Sequence, residues 1–405
     1  MSRPDVAFEP ALDLSEALGE ALSLLASDVH LQPDGDHASV RFRVDGRLVP
    51  SRIRPQVHLS AVEELCAMAD LAPGDHAGPA ETSVRLLVRG AVGRWRLSRM
   101  PGVDGERVCL HRVMSEPPVL EKLGFDEHQL RAVYATLAHP WGVVLFGGPA
   151  GSGKTTTFYA ALSALDPGRR CVLTHEDVVE ADIPGVHQAQ SAGQPFLGDG
   201  WLRAMLHQDP DVIGLGEIHD LPTAMFAVRG ALTGALVLST AAFNDSPSCV
   251  SRLLNLGVEP FLVTSALRLI VCQRLVRLSC QHCLADDSLR AEQLDALRLS
   301  PQQLEGLQPR AGFGCERCQG SGVAGRAAIF EVLELTPSYQ ELVLMGASSA
   351  ELKSEAMLNG FRTLRQHAIE LFVQGRIRAS EVLHATNSDE GLPAPPSLTP
   401  RRALG

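Results

Sequence analysis

A glycine-rich loop near the middle of the chain has the residue types and spacing of a phosphate-binding loop. Its glycines let backbone N–H groups wrap a phosphate, and the helix expected after it directs its N-terminus at the same charge. Lys154 would reach the β- and γ-phosphates of ATP, and the Thr155 hydroxyl would bind Mg²⁺. The predicted nucleotide site comprises Gly148, Pro149, Ala150, Gly151, Ser152, Gly153, Lys154, Thr155 and Thr156.

Acidic residues end two apolar segments downstream of this loop. The segment 209–217 ends in Glu217, and a carboxylate at such a strand end could orient or deprotonate an attacking water. Glu176 begins an acidic stretch with Asp177 and Glu180, which suits Mg²⁺ or water positioning. A solvent-exposed strand end and an ordinary acidic loop are the alternatives. We predict Glu217 and Glu176 as catalytic residues.

Four of the nine cysteines form two CxxC pairs, Cys280 with Cys283 and Cys315 with Cys318. Two such pairs are the usual way to hold a tetrahedral Zn²⁺ with four thiolates. Four protein ligands leave no open coordination position, so the predicted zinc is structural. An iron–sulfur cluster or free thiols are the alternatives.

The elements that must position these residues follow from the apolar patterns. A buried strand over 141–146 is expected before the glycine loop, and a helix over 156–165 after it. Strand-like and helical segments then alternate to about residue 275, which is typical of an α/β fold with a parallel sheet and crossover helices. We place the four cysteines in a subdomain, 276–330, of this larger domain.

The first part of the chain has a different pattern. A helical spacing over 12–26 is followed by alternating stretches at 40–48, 84–97 and 106–113, which predict a small α+β domain. Asp45-Gly46 indicates a hairpin turn, and Pro117-Pro118 indicates a linker. The predicted organisation is a flexible lead-in 1–11, a domain 12–116, a linker 117–125, a domain 126–386 and a disordered tail 387–405.

Composition excludes several classes of protein. The 405 residues include 45% hydrophobic and 20% charged residues, with a net charge of −11. An acidic protein is a poor non-specific nucleic-acid binder. Its apolar runs are strand-sized, far short of the ~20 residues of a membrane span. Without a signal peptide at the N-terminus, we expect a cytoplasmic protein.

Together these motifs resemble the GspE/PilB-type secretion ATPase family of type II secretion and type IV pilus assembly. The resemblance covers about residues 12–385. It implies a RecA-like P-loop ATPase domain with a zinc-binding insertion, preceded by a PAS-like domain whose Arg43, Arg96 and Arg112 lie in segments turned toward nucleotide. It also implies a homo-hexamer, peripheral at the inner membrane. The segments that carry it are 26–30, 43–46, 148–157, 208–213, 216–218, 231–234, 273–276 and the CxxC pairs.

The resemblance implies an ATPase of a type II secretion system, which drives pseudopilus assembly and protein export through an inner-membrane platform. A type IV pilus assembly motor is one alternative. Another is a degenerate ATP-binding paralogue with a structural or regulatory role. A nucleic-acid motor is disfavoured by the acidic balance and by the lack of interleaved aromatic and basic residues.

Several positions depart from the family's pattern. His219 and His111 stand where the family has arginines, Ala242 stands where it has histidine, and Val178 stands where proline is usual. Histidine can donate a hydrogen bond, but it is not a permanently charged bidentate group, and alanine can do neither. We therefore predict that ATP binds well and that basal hydrolysis is slow.

Overall fold

The computed structural model of the chain describes residues 7–69, 71, 78–113, 116–191, 198–287, 289, 291–299 and 309–386. The predicted tail 387–405 and residues 1–6 of the predicted lead-in lie outside the described residues. The chain forms two compact units. The first comprises Met1–Pro117, His175–Pro184 and Gln188–Phe196, and the second comprises Pro118–Thr174, Gly185–His187 and Leu197–Gly405.

The first unit is built on an antiparallel sheet. Its elements in chain order are α1 (Leu12–Ser23), β1 (Asp28–Asp34), β2 (His37–Val44), β3 (Arg47–Pro50), β4 (Gln56–His58), α2 (Leu59–Met68), β5 (Ala80–Val88), β6 (Ala91–Gly102) and β7 (Gly105–Arg112). The strands lie in the order β3-β2-β1-β7-β6-β5, with β4 paired to β2. Apolar faces of both helices pack on the inward residues of the strands to form one core.

Tight turns set the register of this sheet. Asp45 and Gly46 have φ angles of 47° and 78°, as the hairpin between β2 and β3 requires. The alternating stretch 84–97 differs from one continuous strand, because Arg89 and Gly90 (φ 51° and 78°) turn the chain between β5 and β6. A non-glycine residue with positive φ is uncommon, so the pattern of apolar residues alone does not reveal this turn.

The rest of the chain contains a larger sheet with helices, most of which belongs to the second unit. Its strands and helices in chain order are α3 (Glu127–Leu137), β8 (Gly142–Gly147), α4 (Lys154–Ser163), β9 (Val172–Glu176), β10 (His187–Gln190), α5 (Gly198–Leu206), β11 (Val212–Ile218), α6 (Leu221–Leu232), β12 (Leu236–Ala241), α7 (Ser246–Asn255), α8 (Pro260–Ala266), β13 (Leu267–Ser279), β14 (Leu284–Asp286), α9 (Ala291–Leu297), β15 (Arg310–Gly312), β16 (Val323–Glu334), α10 (Pro337–Leu344), α11 (Ser349–Leu358), α12 (Leu364–Val373) and α13 (Ala379–Ala385).

The order of the strands explains where chemistry can take place. The sheet runs β10-β9-β11-β12-β8-β13-β16, with β8 parallel to both β12 and β13, and β11 parallel to β12. Strands β8 and β12 are buried along their whole length, as central strands of a parallel sheet are. Their carboxyl ends, and that of β11, therefore meet at one edge of the sheet.

A fully buried carboxylate ties two helices to this sheet. Glu331 on β16 accepts hydrogen bonds from the backbone N–H groups of Ser246 and Leu364, the first residues of α7 and α12. Burial raises the pKa of Glu331 to about 7.

None of the helices in the described parts of the chain has the length and apolar character that a bilayer crossing needs.

Candidate functional site

The glycine loop joins the end of β8 to the start of α4. Gly153 is the residue before α4 and has a left-handed φ of 88°, which glycine adopts without strain. Gly148 has a φ of 147°, and a Cβ atom there would lie 2.4 Å from the carbonyl oxygen of Gln273. Both positions therefore need glycine, and the loop leaves its N–H groups at the start of a helix, where anions bind.

The Lys154 side chain is folded back over this loop. Its Nζ donates to the carbonyl oxygens of Gly148 at 2.8 Å and Pro149 at 3.4 Å, and it lies 3.9 Å from Glu217 Oε2. Burial lowers the pKa of Lys154, and the nearby Glu217 carboxylate acts in the opposite direction. The structure thus brings together the lysine and one of the two carboxylates that the sequence singled out.

Glu217 is presented by an irregularity in β11. The pairing of β11 with β12 shifts between Leu215 and Glu217, and the Ser239 hydroxyl donates to the carbonyl of the intervening Gly216 at 2.6 Å. The shift holds the Glu217 side chain beside Lys154 while leaving it 42% exposed. A carboxylate in this position can contact both the ammonium group and a water molecule.

Gln273 supports the loop from β13. It begins the segment 273–276 that carries the family resemblance, but the sequence analysis assigned it no role of its own. It is 1% exposed, and its Nε2 donates to the carbonyl oxygen of Ser152 at 2.9 Å. A Cβ on Gly153 would lie 3.0 Å from the same nitrogen. The signal that could have found it is a glutamine inside an otherwise apolar strand, because a buried amide needs a hydrogen-bond partner.

The segment between β12 and α7 covers the start of the loop. Phe243 is buried, and its ring lies so close to Gly147 that a Cβ there would fall 1.8 Å from the ring. Ala242, the position where the resembling family has histidine, is half-buried beside it. Asp245 begins α7 with a capping box. Phe243 thus shapes the base of the loop, whereas Ala242 offers no hydrogen bond.

His219 lies just beyond Glu217. Its Nδ1 is 3.0 Å from the Glu217 carbonyl oxygen, and its Nε2 is 3.6 Å from Asp220 Oδ2. The side chain is 61% exposed. Asp220 itself caps α6 through Thr223, and that hydrogen bond lowers the pKa of Asp220. The ring is thus engaged with its own neighbours in the chain.

Glu176 lies in the other compact unit. It ends β9 and is 5% exposed, and its Oε1 accepts a hydrogen bond from Gln188 Nε2 at 3.3 Å. Asp177 accepts one from the Ser191 hydroxyl at 3.1 Å. The role of Glu176 in Mg²⁺ or water positioning stays a prediction. The roles of Thr155 and Thr156, which lie half-buried in the first turn of α4, also stay predictions.

The four predicted metal-ligating cysteines come together, with all four sulfur atoms within 4.8 Å of one another. The Sγ–Sγ distances are 3.9 Å for Cys280–Cys315, 3.8 Å for Cys283–Cys318 and 3.7 Å for Cys315–Cys318. A tetrahedron with Zn–S bonds of about 2.3 Å has edges of about 3.8 Å. The spacing therefore fits four-thiolate coordination of a metal ion.

Backbone N–H groups donate hydrogen bonds to two of the four sulfur atoms. The N–H groups of Cys315 and Gly322 each donate to Cys318 Sγ at 3.2 Å, and that of Gly314 donates to Cys283 Sγ at 3.2 Å. Burial acts to raise the pKa of Cys318, but these N–H donors, together with the Cys315 and Cys283 thiols, lower it to about 6. At Cys283 burial prevails and raises the pKa to about 11. Hydrogen bonds to the charged form favour that form, so the residues present fit a metal-binding group.

A glycine loop between a buried parallel strand and a helix, with a lysine and a carboxylate at neighbouring strand ends, defines a P-loop α/β protein of the nucleotide-binding class. Residues 7–384 match the family described as type II/IV secretion system protein. The chain therefore belongs to this family of secretion ATPases.

Two relatives show the breadth of the family. The type IV pilus assembly ATPase PilB of Myxococcus xanthus is 38% identical over 381 residues, which are 92% of this chain and 67% of that protein. The type II secretion system protein E of Klebsiella pneumoniae is 37% identical over 379 residues, covering 92% and 75%. The PilB of Thermus thermophilus is longer, and this chain spans 42% of it.

A solved structure shares the fold. The pilus retraction motor PilT with bound ADP superposes with a TM-score of 0.65 at 23% identity, over 94% of this chain and 99% of that chain. The predicted α/β fold with a preceding α+β domain is thereby confirmed.

Pilus assembly and type II secretion proteins match this chain about equally well, so the sequence similarity does not distinguish these two functions.

Proposed function

We propose that this protein is an ATP hydrolase that powers assembly of a secretion pseudopilus and export through an inner-membrane platform. The observation that carries the proposal is the placement of Lys154 over the glycine loop, 3.9 Å from Glu217. The lysine would hold the β- and γ-phosphates, and the carboxylate would orient the attacking water. Family membership supports this assignment, and a pilus assembly motor is the alternative within the same class.

The remaining parts of the site have supporting roles. Thr155 would bind Mg²⁺ through its hydroxyl, with Glu176 as the predicted carboxylate partner. Magnesium supplies neutralisation of the phosphate charge when it is bound. The helix α4 directs its N-terminus at the phosphates, and Gln273 holds the Ser152 carbonyl in place. This chain's own contribution is therefore to position charge rather than to form covalent intermediates.

The four-cysteine cluster is proposed to hold one structural Zn²⁺. The sulfur spacing and the N–H donors to Cys283 and Cys318 support it. We further propose a cytoplasmic homo-hexamer that associates peripherally with the inner membrane through partner proteins and does not bind nucleic acid. The net charge of −11 supports the last point.

A second candidate function is an ATP-binding subunit with little turnover. The observation that favours it is the absence of a donor at Ala242 and the engagement of His219 with the Glu217 carbonyl. A contact made in the transition state alone is worth about a hundredfold to a thousandfold in rate. The two functions differ in kcat and not in ATP binding.

Steady-state ATPase assays of the purified protein distinguish the two, with Glu217→Gln as the control that binds ATP but cannot orient water. We expect slow hydrolysis in the native protein. The pair His219→Arg and Ala242→His should raise kcat more than it changes KM. A double variant no faster than native, or a native protein as fast as unaltered relatives, would refute the slow-hydrolysis argument. Co-purification of the platform protein then decides between secretion and pilus assembly.

A further inference from the structure

Arg94 on strand β6 forms an ion pair with the acidic segment that follows Glu176. Arg94 Nη1 and Nη2 donate to the two carboxylate oxygens of Asp182 at 3.0 Å and 2.9 Å. Both residues belong to the first compact unit. A fork-to-fork pair of this kind fixes orientation as well as distance. It therefore restrains the segment 177–183 relative to the sheet of the first unit.

Arg96, the next arginine on the same face of the strand, makes a similar contact. Arg96 Nη1 donates to Glu180 Oε1 at 2.8 Å, and its Nε lies 2.5 Å from Glu81 Oε1. The Glu180 carboxylate is 12% exposed, so water competes weakly for it. The family resemblance implies that Arg96 lies in a segment turned toward nucleotide. In this structure its side chain is paired with carboxylates. Two arginines spaced two residues apart thus bind two acidic residues with the same spacing.

The half-buried side-chain amide of Gln188 carries this restraint to the Glu176 side chain. Gln188 Oε1 accepts the N–H of Ile183 at 2.9 Å, and Gln188 Nε2 donates to the Ala181 carbonyl at 2.9 Å. These are the two residues that flank Asp182. The same Nε2 donates to Glu176 Oε1 at 3.3 Å. One side chain therefore connects the residues held by Arg94 to the carboxylate predicted to be catalytic.

We propose that Arg94 is a positioning residue, which acts through Asp182 and Gln188 to hold Glu176 in its working orientation. The proposal rests on the proposed function where it concerns hydrolysis. The Asp182 side chain is 78% exposed, so added salt weakens the clamp. Exposed ion pairs of this kind shift a local equilibrium by about two- to fivefold, which sets the size of the expected effects.

Amide hydrogen exchange of the full chain, read by mass spectrometry over 177–183, measures the clamp without any need for ATP hydrolysis. Arg94→Ala and Asp182→Ala should each raise exchange there by about two- to fivefold. The charge swap Arg94→Asp with Asp182→Arg should restore it. Arg89→Ala is the matched control, because Arg89 lies at the far end of the hairpin and binds Ser23.

Kinetics then test the link to Glu176. The single variants should lower kcat by a similar factor and leave KM for Mg²⁺–ATP unchanged, with recovery in the swap. Native-like exchange in both single variants, or a swap that does not recover, overturns the clamp. Faster exchange with unchanged kcat overturns the positioning of Glu176. If exchange responds as expected but the native protein hydrolyses no ATP, the clamp stands and the proposed function fails.

Discussion

The hydrogen bond from Gln273 to the glycine loop leads to a quantitative prediction about ATP affinity. Replacing Gln273 with Met keeps the side-chain volume but removes the amide that donates to the Ser152 carbonyl at 2.9 Å. The Ser152 residue is 3% exposed, so the carbonyl loses its donor away from water. Leaving a buried acceptor unpaired costs about 1–3 kcal/mol.

That cost falls on the conformation of the loop that binds phosphate. A loss of about 1.4 kcal/mol is a tenfold change in an equilibrium constant, so we expect Gln273→Met to weaken binding of a non-hydrolysable ATP analogue about tenfold. Gln273→Ala should weaken it further, because it also removes the packing against Gly153. Isothermal titration at fixed Mg²⁺ gives both dissociation constants, and thermal melts confirm that the fold persists.

The Met variant separates the hydrogen bond from the packing. If it binds the analogue as tightly as the native protein while the Ala variant is weak, Gln273 acts through its volume, and the reasoning about the unpaired carbonyl is wrong. If both bind as the native protein does, β13 does not support the loop at all.

Three further predictions concern other parts of the chain. Lys154→Ala should abolish most ATP affinity, and an unchanged affinity for an ATP analogue contradicts it. Metal analysis should find about one zinc per chain, lost in Cys318→Ser together with the local fold; iron with a visible chromophore argues for a cluster. Burial raises the Glu331 pKa to about 7, so the folded chain keeps a proton that the unfolded chain releases. This contribution to stability is full below about pH 4.5 and is lost as pH rises through 7, and Glu331→Gln should remove that fall in Tm; an equal fall in both proteins assigns it to other groups.

The features that the sequence predicted correctly are those set by short stretches of chain. At Gly148 and Gly153 the backbone of the loop has positive φ angles and close neighbours that only glycine accommodates. The sequence therefore shows this requirement directly, as glycine residues. Each CxxC pair likewise fixes its own turn. The Asp45-Gly46 hairpin follows from the same local rule. In each case the residue type and the backbone conformation determine each other.

The features that the sequence could not predict depend on residues far apart in the chain. Gln273 and Ser152 are separated by 121 positions, and Arg94 and Asp182 by 88. Arg94 and Asp182 have no local signature, since an arginine on an antiparallel strand and an aspartate in a loop are both ordinary surface residues. Gln273 is marked as a polar residue in an apolar strand, but that mark does not identify Ser152 as its partner. Their partnership appears once the fold brings the segments together, so tertiary contacts and not propensity decide it.

The positions that this chain retains and those where it departs from the family pattern differ in the stage of the ATPase cycle at which they would act. In the proposed function the loop and Lys154, supported by Gln273, would contact ATP as soon as it binds, and the chain retains all of these residues. The family resemblance implies that the positions of His219 and Ala242 meet charge as the γ-phosphate leaves. Here the His219 ring is engaged with the Glu217 carbonyl, and the Ala242 side chain has no polar atom. Losing contacts of the second kind lowers kcat without raising KM. A subunit changed in this way would keep ATP bound for much of its cycle. Both candidate functions, the motor and the ATP-binding subunit with little turnover, therefore predict tight ATP binding. The turnover number kcat is the quantity that distinguishes them.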